Sequence, residues 1–144
     1  MKPEMTFRRT LHASLLAAFI TAWLCFVWYW MFILFTDYEI PAEFSSLGIA
    51  SSSLVGSLAA AFGFYILVIT FKARPVYFKL IAMVLAILTV LPLIGDGVLP
   101  SGNVIPEGFL WLAVPMHLIA GVVIGGIIPW YVIKGLPEVE EVKA

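Results

Sequence analysis

The sequence predicts an all-α membrane protein: a single-domain bundle of four transmembrane helices with both termini cytoplasmic. Three observations carry that prediction. Of the 144 residues, 62% are apolar and 12% are charged, whereas a soluble domain of this size carries about a quarter charged residues. The charges are bunched into short segments that separate four apolar runs, each long enough to cross a bilayer. The basic residues also fall entirely on one side of a four-span arrangement.

The first span is placed at about 11–35. Lys2, Arg8 and Arg9 precede it, which could suggest a secretory signal. The apolar run is 25 residues long, against roughly 7 to 15 for a signal core, and no small-x-small cleavage site closes it. It is therefore expected to be retained as a span. Its second half is dense in aromatics, from Trp23 through Trp28, Tyr29 and Trp30 to Phe35. Such rings suit a bilayer interface; a wall for a flat ligand is the sharper alternative. Cys25, the single cysteine, excludes an internal disulfide and reads as a small packing residue.

The acidic first loop leads into a second span at about 49–71. Its opening sequence, Ile40-Pro41-Ala42-Glu43-Phe44, has a parallel in Ile105-Pro106-Glu107-Gly108-Phe109 before the fourth span. Proline at a first helical position and a carboxylate near the positive end of the helix dipole would start both helices in the same way. The second span carries two ladders of small residues, Ser52-Gly56-Ala60 and Ser53-Ser57-Ala61. Lipid supplies no hydrophobic drive for helix association, so close backbone approach through small residues becomes the main attraction. Gly56 and Ala60 are accordingly expected to pack against another helix, with this span at the centre of the bundle.

Lys72, Arg74, Pro75 and Lys79 mark the second loop and the start of a third span at about 76–94. That span is rich in Leu, Ile and Val, with Thr89 its polar side chain, and is expected to face mostly lipid. Gly95-Asp96-Gly97 and Pro100-Ser101-Gly102-Asn103 predict a turn-rich loop. The fourth span, about 109–133, contains Pro115-Met116-His117 and then, at intervals of four, Gly121 and Gly125, a further close-packing face. Lys134 and the breaker Gly135-Leu136-Pro137 close it, and the tail at 138–144 is expected to be disordered.

Orientation follows from charge. Lys2, Arg8, Arg9, Lys72, Arg74, Lys79, Lys134 and Lys143 all lie on the side of the termini and the second loop. Asp37, Glu39, Glu43, Asp96 and Glu107 lie on the other side with no basic residue. Positive residues stay cytoplasmic, which places both termini on the cytoplasmic side of a cell membrane.

His117 is the ionisable residue expected well within a span. It lies eight residues into the fourth span, roughly 12 Å from the outer end by helical rise. Counting from the other outer ends brings Tyr29, Ser53, Ser57 and Thr89 to a similar depth. His117 shares its face with Gly121 and Gly125, so it is expected to point into the bundle. In one reading it hydrogen-bonds a serine or tyrosine of the second or first helix and is structural. In the other it marks a site: an outward-facing pocket lined by His117, Tyr29, Ser53 and Ser57, with Asp96 near the mouth.

Several chemistries are set aside. His12 and His117 lie at opposite ends, which rules out a bis-histidine haem. No metal-ligand spacing is present, no carboxylate of a proton-coupled exporter lies within a span, and no basic stripe suggests nucleic acid. No catalytic residue, cofactor or metal is assigned.

With Met116-His117-Leu118-Ile119-Ala120-Gly121 at the start of its last span, the chain resembles small, mostly bacterial four-span membrane proteins grouped as families of unknown function. The resemblance extends from the first span to Tyr131. It implies the four-helix architecture and no activity, ligand or catalytic residue. The expected function is non-enzymatic, as a small accessory or structural subunit of a membrane assembly. The alternative is a small-molecule or proton-coupled transporter or binding protein using the His117 pocket, and a remoter one is a membrane-embedded enzyme. The expected partners are the lipid bilayer and either a second copy of the chain or a larger membrane complex.

Overall fold

An apolar run without internal glycine or proline forms one unbroken helix, α1 (Pro3–Phe35), in the computed structural model of the protein. The structure describes residues 3–41, 44–95, 97–99 and 102–134; the predicted Gly135-Leu136-Pro137 breaker, the tail and Asp96 lie outside them. At 33 residues, α1 is roughly 50 Å long, more than the ~30 Å of a hydrocarbon core, and Arg8 and Arg9 sit in its first turns.

Helix α2 (Ser46–Phe64) starts at Ser45, whose hydroxyl accepts the Gly48 amide at 3.1 Å. This corrects the expectation of a shared proline–glutamate start, since neither α2 nor the last helix has an acidic residue in its first turn. The serine hydroxyl reaches a free first-turn amide directly, and the helix begins there. In both copies of the segment the phenylalanine amide instead returns to the proline carbonyl three residues earlier. Phe44 N donates to Pro41 O at 2.8 Å, and Phe109 N donates to Pro106 O at 3.2 Å. The two phenylalanines then meet edge to face, 5.3 Å between ring centroids.

The second span continues as a π-helical segment, Tyr65–Thr70, and turns at Lys72, whose φ is 55°. Pro75 opens α3 (Pro75–Leu88). That helix stops where the ring of Pro92 would meet the carbonyl four residues back. The short α4 (Leu91–Gly95) completes the third span. A loop held by Leu99 N to Asn103 O and Ile105 N to Gly97 O leads to α5 (Phe109–Lys134), which contains Pro115 and Pro129. Gly108 enters α5 at φ +77°, and a Cβ there would fall on the ring of Tyr38.

Thr6–Phe35, Ser46–Thr70, Pro75–Ile94 and Phe109–Lys134 are long and apolar enough to cross a membrane, within a turn or so of the spans read from sequence. α1 packs against α2 and α5, and α3 packs against α5, while α2 and α3 scarcely meet although they are consecutive. One core cluster, with Ala13, Ala17, Phe64, Phe78 and Val132, lies toward the end that holds the basic residues. The other, with Cys25, Phe32, Ile49, Leu112 and Met116, lies toward the acidic loops. Arg9 Nε donates to Tyr131 O at 3.2 Å, and Lys79 and Lys134 line one cleft with Trp130, so basic residues of three segments gather at one end.

The centre of the bundle is the fourth span, not the second as expected. In its most apolar stretch 44% of residues are buried, against 22% for the second. The fourth span takes this place because α5 packs against both α1 and α3. On α1 a small-residue stripe, Thr10, Ser14, Ala17, Thr21 and Cys25, is buried in the bundle. Only one of the α2 ladders is enclosed: Ser53, Ser57 and Ala61 are buried, whereas Ser52 and Gly56 are exposed.

Candidate functional site: a lateral groove ending at Thr89 and His117

Because α2 and α3 splay apart, a groove of about 480 Å³ lies between them. Its floor is α5. One wall is the glycine–alanine face of α2, Gly56, Ala59, Ala60 and Gly63; the other is Ile81, Leu85 and Thr89 of α3. Nothing lies within 4 Å of where a Cβ would stand on Gly56 or Gly63. Gly56 is thus not packed against a helix of this chain, contrary to expectation, and Ala60 lines the groove beside it. Gly121 and Gly125 are packed: added Cβ atoms would lie 2.7 Å from the Ala86 Cβ and 3.3 Å from the Ala82 Cβ. The glycine ladder of the fourth span therefore seats α3, which otherwise faces outward as expected, with only Phe78 and Ala86 buried.

Every residue lining the groove is apolar except Thr89 and His117, and none is charged. These two meet, with 3.0 Å between Thr89 Oγ1 and His117 Nδ1. The expected partner of His117 was a serine or tyrosine of the second or first helix; the partner is a threonine of the third. The face shared with Gly121 and Gly125 does turn His117 toward a neighbouring helix, but that helix is α3. Since α3 covers this face incompletely, His117 is half-buried and Thr89 is exposed at the groove wall.

The other predicted site residues do not join them. Tyr29 packs with the cluster around Cys25 and Leu112, its ring 6.2 Å from that of Trp30. Ser53 and Ser57 are buried, and the Ser57 hydroxyl has no hydrogen-bond partner among the described residues, as is also true of Thr21. Neither serine lines the groove. Equal depth put these side chains in one layer, but they lie on different faces of their helices. Asp96 lies outside the described residues.

Sequence reasoning also missed three contacts along the α1–α5 seam. Trp28 Nε1 donates to Leu112 O at 3.2 Å, and Cys25 Sγ donates to Met116 O at 3.8 Å; Arg9 adds the third, at the basic end. Two of these acceptors, Leu112 and Met116, flank Pro115, which marks that turn of α5 as irregular, whereas nothing in the sequence points to the Tyr131 contact. A proline within a helix lacks an amide and crowds the carbonyl four residues back, here that of Trp111, next to the Leu112 carbonyl that Trp28 reaches. Among the described residues no three His, Cys, Asp or Glu side chains come together as metal ligands.

The four apolar helices support a multi-pass integral membrane protein with a helical-bundle fold. Comparison with protein-family models, with curated proteins and with solved structures found no match.

Proposed function

We propose that the protein is a non-enzymatic component of a cell membrane, with both termini cytoplasmic, that holds a lipid-soluble small molecule between α2 and α3. One observation carries this reading: a groove open sideways and apolar throughout except for a hydrogen-bonded Thr89–His117 pair. Polar and ionisable side chains within a span are costly against hydrocarbon and normally mark ligand or ion sites. Binding sites in general combine an apolar lining with a few placed polar groups.

The test is photolabelling of the reconstituted protein with a diazirine-bearing amphiphile. Labels are expected to concentrate on 56–67, 78–89 and 117–124 and to be lost in Gly56→Leu, whose side chain would fill the groove. Even labelling of all lipid-facing surfaces, unchanged in Gly56→Leu, would overturn the proposal.

A second reading, the accessory subunit, is supported by the open positions at Gly56 and Gly63. Small residues on an uncovered face suit the close approach of a partner helix. In that case Gly56→Leu would dissolve a complex that survives mild solubilisation, and the wild-type groove would take no label within that complex.

A further inference from the structure

The hydrogen bonds around Thr89 fix what His117 can offer a ligand. α3 ends beside this residue, and the amide of Val90 turns to Ile87 O at 3.1 Å instead of continuing the ladder to Ala86. The Ala86 carbonyl accepts the Thr89 hydroxyl at 2.9 Å. In hydrocarbon no water can replace that donor, and an unsatisfied carbonyl is strongly disfavoured. A hydroxyl has one proton. With that proton committed to Ala86, Thr89 Oγ1 faces His117 as an acceptor, so the imidazole nitrogen 3.0 Å away must carry the hydrogen. A neutral imidazole has one donor and one acceptor nitrogen. The second nitrogen of His117 is therefore a bare acceptor, and it has no partner among the described residues.

We infer that the groove between α2 and α3 takes a neutral lipid alcohol, whose hydroxyl donates to the free nitrogen of His117 and whose hydrocarbon tail lies along the Gly56–Gly63 face. The inference rests on the ligand-binding reading above and narrows it to one head-group chemistry. An acceptor at the head of the site selects a donor, so ethers and ketones are poor ligands. The absence of any charged residue from the lining disfavours phosphate, carboxylate and ammonium heads, which would be buried without a counter-ion. Gly56 to Leu67 on one wall, and Phe78 to Thr89 on the other, give a length of roughly 16 Å by helical rise. That length accommodates an extended acyl or isoprenoid segment.

The experiment compares three photoreactive probes of equal chain length, a fatty alcohol, its methyl ether and the matching methyl ketone, on the full chain in vesicles. The alcohol should label the groove about five-fold more than the ether, the ratio expected of one hydrogen bond. His117→Leu should bring the alcohol down to the ether. His117→Gln, whose amide oxygen accepts, should keep part of the preference. Thr89→Val should weaken the preference, because the imidazole then loses the acceptor that fixes its tautomer, and Thr89→Ser should keep it. Circular dichroism of each variant shows whether it has folded.

Equal labelling by alcohol and ether would overturn the inference while leaving the groove as a ligand site. Preference for the ketone, lost in His117→Leu, would reverse the tautomer and overturn it as well. Labelling by none of the probes above the Gly56→Leu background would defeat the broader ligand-binding reading.

Discussion

Two seams of this bundle are built from the same small residues and end differently. Along the α1–α5 seam, Ala17, Thr21 and Cys25 of α1 are buried and two side chains donate to backbone carbonyls across the contact near Pro115. Between α2 and α3, Gly56, Ala59, Ala60 and Gly63 border a groove instead. Small residues permit close approach, but they do not enforce it. Closure needs a complementary face, and α3 turns its own small residues, Ala82 and Ala86, to Gly125 and Gly121 of α5. What it leaves for α2 is the bulkier Ile81 and Leu85. The sequence neighbours are thus held apart while α3 is held to α5.

The sharpest way to break this comparison is to exchange glycines on the two faces. Gly121→Val places methyl groups where even a Cβ would lie 2.7 Å from the Ala86 Cβ and 3.2 Å from the Met83 sulfur. Forcing extra carbons into such a contact costs roughly 1–3 kcal/mol, measurable as a shift in denaturant-induced unfolding in detergent micelles. Gly56→Ala meets nothing within 4 Å and should change stability by less than about 1 kcal/mol, toward greater stability, because alanine is the better helix former. Equal destabilisation by the two substitutions would mean that the α2 face is covered as tightly as the α5 face.

A smaller effect tests whether the closed seam depends on hydrogen bonding as well as fit. Trp28→Phe keeps an aromatic ring against Leu112 but removes the indole donor from its carbonyl. Interhelical hydrogen bonds in membrane proteins contribute about 0.6 kcal/mol on average, so a loss of that order is expected in the same unfolding assay. No change at all would mean that the Trp28–Leu112 hydrogen bond adds nothing to the packing at that point of the seam.

The four spans were legible because length and apolarity decide them; the break before Pro92, which proline chemistry explains, was not read from the sequence. The site was only half legible. Residue spacing correctly put His117 on the face of Gly121 and Gly125, and depth counting included Thr89 among candidates at its level. Neither rule says which helix stands opposite a given face. For that reason Ser53, Ser57 and Tyr29 were expected in a pocket they do not line. The same limit hid the α1 stripe: Thr10, Ser14, Ala17 and Thr21 are as small as the α2 ladders, and nothing in their spacing says that they are the ones to be buried. The segments at Pro41 and Pro106 show the converse, a repeat visible in the sequence whose geometry was misassigned, because the Ser45 cap starts α2 four residues later.

The smallest expected effect concerns the link between the splayed helices. Lys72 holds a left-handed backbone, φ 55°, just after the π-helical end of the second span. That conformation costs a residue with a Cβ roughly 1–2 kcal/mol, whereas glycine adopts it freely but loses about 0.5–1 kcal/mol more in chain entropy on folding. The two terms largely offset, so Lys72→Gly should stabilise by less than about 1 kcal/mol. Because the backbone angle is kept, labelling of the groove should be unchanged. A clear loss of stability would show that the lysine side chain itself supports the turn. A change in labelling without loss of stability would make this residue the hinge that sets how far α2 and α3 stand apart.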